Sequence, residues 1–228
     1  MKVFKATCIL ILIVLFISSW ASYAQSPAKE SNDKGVEYAI EGKFKKAKKE
    51  FEKSLKTDVY NKTAKDSLKI IKDVMAQKTE REAAIHLFKG VSFANKAQGD
   101  QAIKEFTKAI KISPRFVEAY INRGFSYDIR VRYEQAIKDY DKAIEINPRC
   151  AKAYSARGFT YRKMDQYDLA IKDYSKSIEI NPKDVTAYIN RGLVYDDKGQ
   201  RDQAIKDYTK AIEINPICKS IVDGILSN

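Results

Sequence analysis

Small and aromatic residues recur at a fixed helical spacing from Ala83 to the C-terminal region. Each copy of the pattern is 34 residues long and contains a Gly, an aromatic residue, an Ala and a second aromatic residue, followed by a Pro near its end. Gly and Ala remove bulk where two helix axes approach, and Pro ends a helix at the preceding residue. The pattern therefore predicts two packed amphipathic helices per copy and an all-α protein. The copies begin at Ala83, Val117, Ala151 and Val185.

Three aligned columns carry this pattern, and they resemble the tetratricopeptide repeat family. The columns are Gly90, Gly124, Gly158 and Gly192; Ala102, Ala136, Ala170 and Ala204; and Phe106, Tyr140, Tyr174 and Tyr208. The resemblance implies repeats at 83–116, 117–150, 151–184 and 185–218. Because such helix–turn–helix units stack on one another, it also implies a right-handed solenoid.

A weaker copy and one additional helix are predicted for residues 35–82. Gly35, Tyr38, Ala47, Phe51 and Leu55 have the same mutual spacing as the equivalent residues of the repeat that begins at Val117. Residues 61–78 have one apolar face and predict a helix outside the 34-residue register. Thr79 and Glu82 predict a capping box that opens the next helix. A single long, bent helix is the alternative.

The two ends of the chain differ from the repeats. Residues 1–24 combine an early basic stretch, the apolar run Cys8–Ile17 and small residues at Ser22 and Ala24, which is typical of a signal peptide cut after Ala24. Export to the periplasm or beyond is expected, and a retained inner-membrane anchor over residues 6–24 is the alternative. Residues 25–34 predict a polar tether. Residues 219–228 predict a short cap, too small to cover the last repeat, which favours self-association or the docking of a partner at this end.

Composition argues for binding rather than catalysis. The net charge is +12, but acids and bases alternate along the chain, which favours a solvated helical surface over a specific nucleic-acid site. The single histidine, His86, lies in an aromatic column, and no phosphate-binding loop or metal-ligand spacing occurs. We therefore expect no enzyme activity and no metal or cofactor. A lysine stripe on the second helices is compatible with weak contact to an anionic membrane surface: Lys104, Lys108, Lys138, Lys142, Lys172, Lys176, Lys206 and Lys210.

A basic residue in each first helix precedes an acid by 16 residues. This spacing predicts an ion pair between the two helices of a repeat, and a half-exposed pair would contribute about 0.5–1 kcal/mol. A row of arginines offered to an anion is the alternative. The pairs are Lys89 with Glu105, Arg123 with Asp139, Arg157 with Asp173, Arg191 with Asp207 and, in the weaker copy, Lys34 with Glu50.

The resemblance implies that the first helices line a concave groove for a peptide or an amphipathic helix. We expect a non-catalytic scaffold in a bacterial cell-envelope assembly; the alternatives are a basic solenoid that binds a polyanion (envelope polymer or nucleic acid) and an accessory subunit of an enzyme complex. The family's carboxylate clamp is incomplete, because Leu87, Val91 and Ala156 replace its other members beside Asn122 and Lys152. The predicted groove residues are Leu87, Phe88, Val91, Asn95, Ile121, Asn122, Phe125, Asp128, Lys152, Ser155, Phe159, Arg162, Lys163, Ile189, Asn190, Leu193, Asp196 and Asp197.

Overall fold

The computed structural model describes residues 26–59, 61–76 and 80–226, and every regular element in those ranges is helical. The all-α class expected from the repeats is therefore confirmed. The described residues form two compact units, which divide after Ser92. None of the helices in the described ranges is both long and apolar enough to cross a membrane. The predicted signal peptide, residues 1–24, lies outside them.

The described residues of the first unit form three complete helices and the beginning of a fourth. They are α1 (Pro27–Ile40), α2 (Phe44–Thr57), α3 (Lys62–Met75) and α4 (Arg81–Asn95), the last of which continues into the second unit. Residues 61–78 and the following segment are thus two helices rather than one long helix, since α3 ends at Met75. Asn61 caps α3 by accepting a hydrogen bond from the Ala64 amide at 2.9 Å. The predicted cap of α4, Thr79, lies outside the described residues.

The tether predicted for residues 25–34 is wrong, because α1 already begins at Pro27. Ser26 accepts a hydrogen bond from the Lys29 amide at 3.2 Å and so caps the helix. Pro is favourable at the first helical position, where its missing N–H has no intrahelical partner to lose. Ala28 and Asn32 are buried, so this segment belongs to the packed unit despite its polar composition.

Helices α1 and α2 make the close helix–helix contact that was predicted for the weaker copy. Gly35 lies against the Phe51 ring, and a Cβ atom at residue 35 would lie 2.6 Å from Cε1 of that ring. Gly42 in the connecting turn has φ +71°, a conformation that favours glycine. The Lys43 amide donates to the Tyr38 carbonyl at 2.8 Å, which closes the end of α1.

The second unit is a stack of helix pairs. After α5 (Gly99–Ile112) come three first helices, each followed by a second helix, and consecutive helices contact each other. The first helices of neighbouring repeats also touch, as expected of a solenoid. The first helices are α6 (Val117–Ile129), α8 (Ala151–Lys163) and α10 (Val185–Asp197); the second helices are α7 (Tyr133–Ile146), α9 (Tyr167–Ile180) and α11 (Arg201–Ile214).

Each turn between a first and a second helix passes through one left-handed residue. The equivalent residues are Ala97, Val131, Asp165 and Gly199, with φ of 57°, 59°, 56° and 73°. A hydrogen bond from the next amide closes each turn, for example from Arg132 to the Tyr127 carbonyl at 3.0 Å. This conformation suits Gly199 and is least suited to Val131, because a β-branched side chain crowds the backbone when φ is positive.

The second unit ends in a short 3₁₀ turn, Pro216–Cys218, and the helix α12 (Lys219–Leu226). Val222 is fully buried in a cluster with Tyr208 and Cys218, so α12 covers part of the last repeat. Ile205 on α11 and Ile217 in the 3₁₀ turn stay exposed. The cover is partial, and self-association through this end stays a prediction.

Candidate partner-binding surface

The arginines of the first helices hold the repeats together. Each of Arg123, Arg157 and Arg191 donates two parallel hydrogen bonds, through Nε and Nη2, to the Asp 16 residues later, at 2.7–2.8 Å. The Asp side chains are only 5–8% exposed and the Arg side chains 17–20%. The three predicted pairs in this unit are present, but they are more buried than the half-exposed pairs assumed from the sequence.

The third nitrogen of each arginine reaches back to the preceding repeat. Nη1 of Arg123 donates to Thr107 Oγ1 at 3.1 Å, and Nη1 of Arg191 donates to Ser175 Oγ at 2.8 Å. Arg157 makes the equivalent bond to Asp141. Each guanidinium also lies over two tyrosine rings of its own helix, at 5.7–6.0 Å from the ring centroids. These arginines therefore join repeats, and each of their three nitrogens already donates a hydrogen bond within the chain.

The pair predicted for the weaker copy is not formed. Lys34 binds Glu30 on its own helix, with Nζ 2.6 Å from Oε1. The Oε2 atom of Glu50 is buried and has no hydrogen-bond partner in the described part of the chain. A lysine can satisfy its charge one turn away on an exposed helix surface, whereas the arginine fork is matched to both oxygens of its partner.

Charges on the first helices also pair between neighbouring repeats. Lys163 Nζ on α8 lies 2.6 Å from Asp128 Oδ2 on α6, and Thr160 Oγ1 donates to the other oxygen of this buried carboxylate at 2.9 Å. Arg162 Nε donates to Asp197 Oδ2 on α10 at 2.6 Å. The basic and acidic residues predicted to face a partner are thus largely occupied by each other.

Each second helix has a buried tyrosine whose hydroxyl lies near one repeated position of the first helix, the position of Arg162 and Asp196. Tyr208 Oη donates to Asp196 Oδ2 at 2.7 Å. The residue equivalent to Asp196 in the previous repeat is Arg162, which cannot accept a hydrogen bond, and the fully buried Tyr174 hydroxyl has no partner among the described residues. Burial raises the pKa of Tyr174 well above its usual range, against the opposing effect of the Arg162 charge.

Four predicted groove residues are buried and have no surface for a partner to contact. Leu87 and Phe88 are fully buried, and Phe88 stacks on Phe51 with the ring centroids 6.1 Å apart. Ile121 belongs to a core cluster, and Asp128 is buried in the ion pair described above. These four residues are corrections to the predicted groove. They were placed in the groove because the resemblance assigns the first helices to it.

The other predicted groove residues are half-buried or exposed. Asn122 and Ser155 use their side chains internally, donating to the Glu118 carbonyl and to Ser177 Oγ, both at 2.7 Å. Phe159, Ile189 and Leu193 pack partly against core clusters. A common groove formed by these residues stays a prediction. The remaining members with accessible surface are Val91, Asn95, Phe125, Lys152, Arg162, Lys163, Asn190, Asp196 and Asp197.

An exposed apolar patch lies at the end of α6 and in the turn after it. Phe125 is 51% exposed, Ile129 63% and Val131 69%. Phe125 and Ile129 are four residues apart and share one helix face. The sequence prediction missed Ile129 and Val131, although the signal was available. The residues equivalent to Ile129 are Asn95, Lys163 and Asp197, and those equivalent to Val131 are Ala97, Asp165 and Gly199. We call Phe125, Ile129 and Val131 the apolar patch.

The sequence profile of a known family, Tetratricopeptide repeat, matches residues 117–150, 151–184 and 185–218. These bounds coincide with the 34-residue copies identified in the sequence. These three segments are tetratricopeptide repeats. A search of the curated proteins gave no match. The tetratricopeptide fold is that of a protein–protein interaction scaffold, and it is generally non-catalytic.

Solved structures show the same fold. A crystal structure of MamA is 28% identical, covers 80% of this chain and 94% of its own, and superposes with a TM-score of 0.56. A MamA RS-1 double mutant is 17% identical, covers 86% of this chain and 98% of its own, with a TM-score of 0.56. The first tetratricopeptide domain of Spaghetti (RPAP3), bound to an HSP90 peptide, is 24% identical, covers 52% of this chain and 94% of its own, with a TM-score of 0.50.

Proposed function

We propose that this chain is an exported, non-catalytic scaffold that binds a segment of a partner protein on the first helices of its repeats. The apolar patch carries the proposal. Three large apolar side chains are exposed together at the end of α6, and one of them, Val131, is held at φ 59°. Exposure and backbone strain both cost stability, and such violations of local rules concentrate at functional sites.

The surroundings of the apolar patch favour a protein segment as the ligand. Apolar side chains gain about 25 cal/mol for each Å² removed from water, so a partner with its own apolar residues is the natural occupant. An amphipathic helix or an extended segment presents such residues at regular spacing. The paired charges Lys163–Asp128 and Arg162–Asp197 lie on the neighbouring helices and supply a polar rim.

A polyanion is the less favoured ligand. Half of the predicted lysine stripe is paired on its own helix: Nζ lies 2.6–2.8 Å from a glutamate oxygen three residues away at Lys108, Lys142, Lys176 and Lys210. Such local pairs weaken the positive field of this face. Weak contact of the remaining lysines with an anionic membrane is a secondary proposal.

The cell envelope is the proposed compartment, and the leader is its only support. If residues 1–24 are a signal peptide, a reporter enzyme that is active only after export gains activity when fused behind them, and the N-terminal sequence of the purified protein begins at Gln25. A reporter that stays inactive would contradict export. An active reporter that is retained at the membrane with the leader intact would instead indicate the anchor.

Site-specific photo-cross-linking tests the binding surface in the cells that make the protein. A photoreactive amino acid at Phe125 or Ile129 should give a discrete adduct with another protein. The same amino acid at Lys172, an exposed residue of the second helix α9, is the matched control and should not give that adduct. Equal adducts from all three positions, or none from the apolar patch, would overturn the proposal.

A further inference from the structure

Arg162 differs from the other half-buried arginines of the first helices. Arg123, Arg157 and Arg191 each donate from all three side-chain nitrogens. Arg162 donates only from Nε, to Asp197, and within the described residues its two terminal nitrogens have no acceptor. Its side chain is 29% exposed, so the guanidinium is held in place and is still open to solvent.

The free part of the Arg162 guanidinium is the part that binds carboxylates well. A guanidinium can donate two parallel hydrogen bonds from the edge formed by its terminal nitrogens, and this edge matches both oxygens of a carboxylate. Asp197 occupies the Nε side and fixes the orientation of the group. A second carboxylate can therefore bind at the Nη1–Nη2 edge without displacing Asp197.

The Tyr174 hydroxyl is a second polar group near Arg162 that has no partner in the described part of the chain. Tyr174 is fully buried, its hydroxyl has no hydrogen-bond partner in the described part of the chain, and it interacts electrostatically with Arg162. The equivalent Tyr208 donates to Asp196. A buried hydroxyl without a partner costs about 1–3 kcal/mol. The Tyr174 position therefore differs from the Tyr208 position by having a cation, Arg162, where the next repeat has the acceptor Asp196.

The local charge balance permits an additional anion. The acids Asp128, Asp197 and Asp196 are paired with Lys163, Arg162 and Arg201, respectively. A ligand carboxylate therefore meets no net negative charge from these six side chains. The neighbour of Arg162, Lys163, contacts Asp128 on α6, the residue between Phe125 and Ile129 of the apolar patch, so the two features lie on adjacent helices.

We infer that Arg162, with Tyr174 beside it, forms a carboxylate subsite next to the apolar patch, and that the partner segment carries an Asp or Glu close to its bulky apolar residues. The inference rests on the proposed function and adds the chemistry of the ligand. It differs from the incomplete clamp of Asn122 and Lys152, because neither of those residues takes part.

Selection from a random twelve-residue peptide display library on the full-length chain tests the inference. The peptides recovered should combine large apolar residues with an acidic residue at a constant offset. For the best peptide, replacing its Asp or Glu by Asn or Gln should weaken binding to the wild-type chain about tenfold, the usual effect of losing a charge-assisted hydrogen bond.

Two variants decide whether Arg162 binds the carboxylate of the peptide. Arg162→Gln and Arg162→Lys should each reduce the effect of the acid-to-amide change in the peptide to less than about twofold. Arg162→Lys keeps a cation that can pair with Asp197, but its ammonium group has no second pair of parallel donors for the ligand carboxylate. A loss of the effect in this variant therefore reports on the subsite and not on a disturbed fold. Arg115→Gln, at an exposed turn of the same unit, is the matched control and should leave the tenfold effect intact.

The possible failures have different meanings. Binders that contain apolar residues but no recurring acid, or an acid whose effect survives in both Arg162 variants, would overturn the carboxylate subsite and leave the proposed function standing. A library that yields no binder on the wild-type chain would overturn both.

Discussion

The second helices α7, α9 and α11 are almost identical in sequence, whereas the first helices α6, α8 and α10 differ at many positions. In the second helices the repeated residues are explained by packing: Tyr140, Tyr174 and Tyr208 fill the core, and Asp139, Asp173 and Asp207 receive the arginine forks. In the first helices the Gly and Arg residues that make structural contacts recur in each repeat, but most of the exposed residues differ. Ile129 and Val131 appear in one repeat alone, and Phe125 aligns with Phe159, which is half-buried whereas Phe125 is exposed.

This difference separates stacking from recognition. A stack of repeats needs the same contacts at each interface, so residues that stack are repeated. A binding surface needs a particular set of side chains at one place. Departures from the repeat, such as Val131 at a left-handed turn and Arg162 opposite Tyr174, are therefore the positions to test for function.

The largest effect is expected at the arginine that joins two repeats. Arg191→Ala leaves Asp207, whose side chain is 8% exposed, without its partner, and we expect a loss of about 3 kcal/mol in the free energy of unfolding. The measurement is urea denaturation followed by circular dichroism. Lys206→Ala, at the neighbouring exposed position, is the control and should change the free energy by less than about 0.5 kcal/mol.

The paired exchange sharpens this prediction. Arg191→Glu combined with Asp207→Arg should recover more than half of the summed single losses, because the third contact of Arg191 is the neutral Ser175. Strictly additive losses would contradict a direct ion pair.

A smaller effect is expected where the helices of one repeat approach most closely. A Cβ atom at Gly192 would lie 2.5 Å from Cε1 of the buried Tyr208 ring, so Gly192→Ala should cost about 2 kcal/mol through overpacking. At Gly158 the nearest atoms are 3.3 Å away, and the gain of about 1 kcal/mol in helix propensity offsets the tighter contact. Denaturation of both variants checks the prediction, and equal losses would contradict it.

The smallest effect distinguishes the two buried tyrosines. Tyr208→Phe removes a hydrogen bond to Asp196 and should cost about 1 kcal/mol. Tyr174→Phe removes a hydroxyl that has no partner in the described part of the chain, so we expect no loss or a small gain in stability. Thermal unfolding of the two variants provides the comparison, and a larger loss at Tyr174 would indicate an acceptor bound there.

The sequence was sufficient for the architecture and for part of the contacts. The spacing of Gly, Ala and Tyr predicted the helix pairs, and the 16-residue spacing predicted the ion pairs of Arg123, Arg157 and Arg191. The third bond of each arginine was missed, although Thr107, Asp141 and Ser175 stand 16 residues before them. A residue spacing identifies a bonding partner only when it is known which helix packs against the arginine.

The binding surface was less predictable because exposure depends on neighbouring helices. Phe88 aligns with Asn122 and Asn190, yet it is buried against Phe51 from outside the strict repeat. Lys163 and Asp128 both have charges suited to a ligand, yet they are 35 residues apart and meet across two helices. One sequence gives the residue types, but the packing of adjacent elements decides which side chains stay open.

The most direct test of this account measures stability and binding on one variant. Phe125→Ser combined with Ile129→Ser removes most of the apolar patch and leaves the stacking contacts intact. We predict a free energy of unfolding within about 0.5 kcal/mol of the wild-type value and at least tenfold weaker affinity, equivalent to about 1.4 kcal/mol, for the peptide selected on the wild-type chain. Unchanged affinity, or a loss of stability above about 2 kcal/mol, would contradict the separation of recognition from stacking.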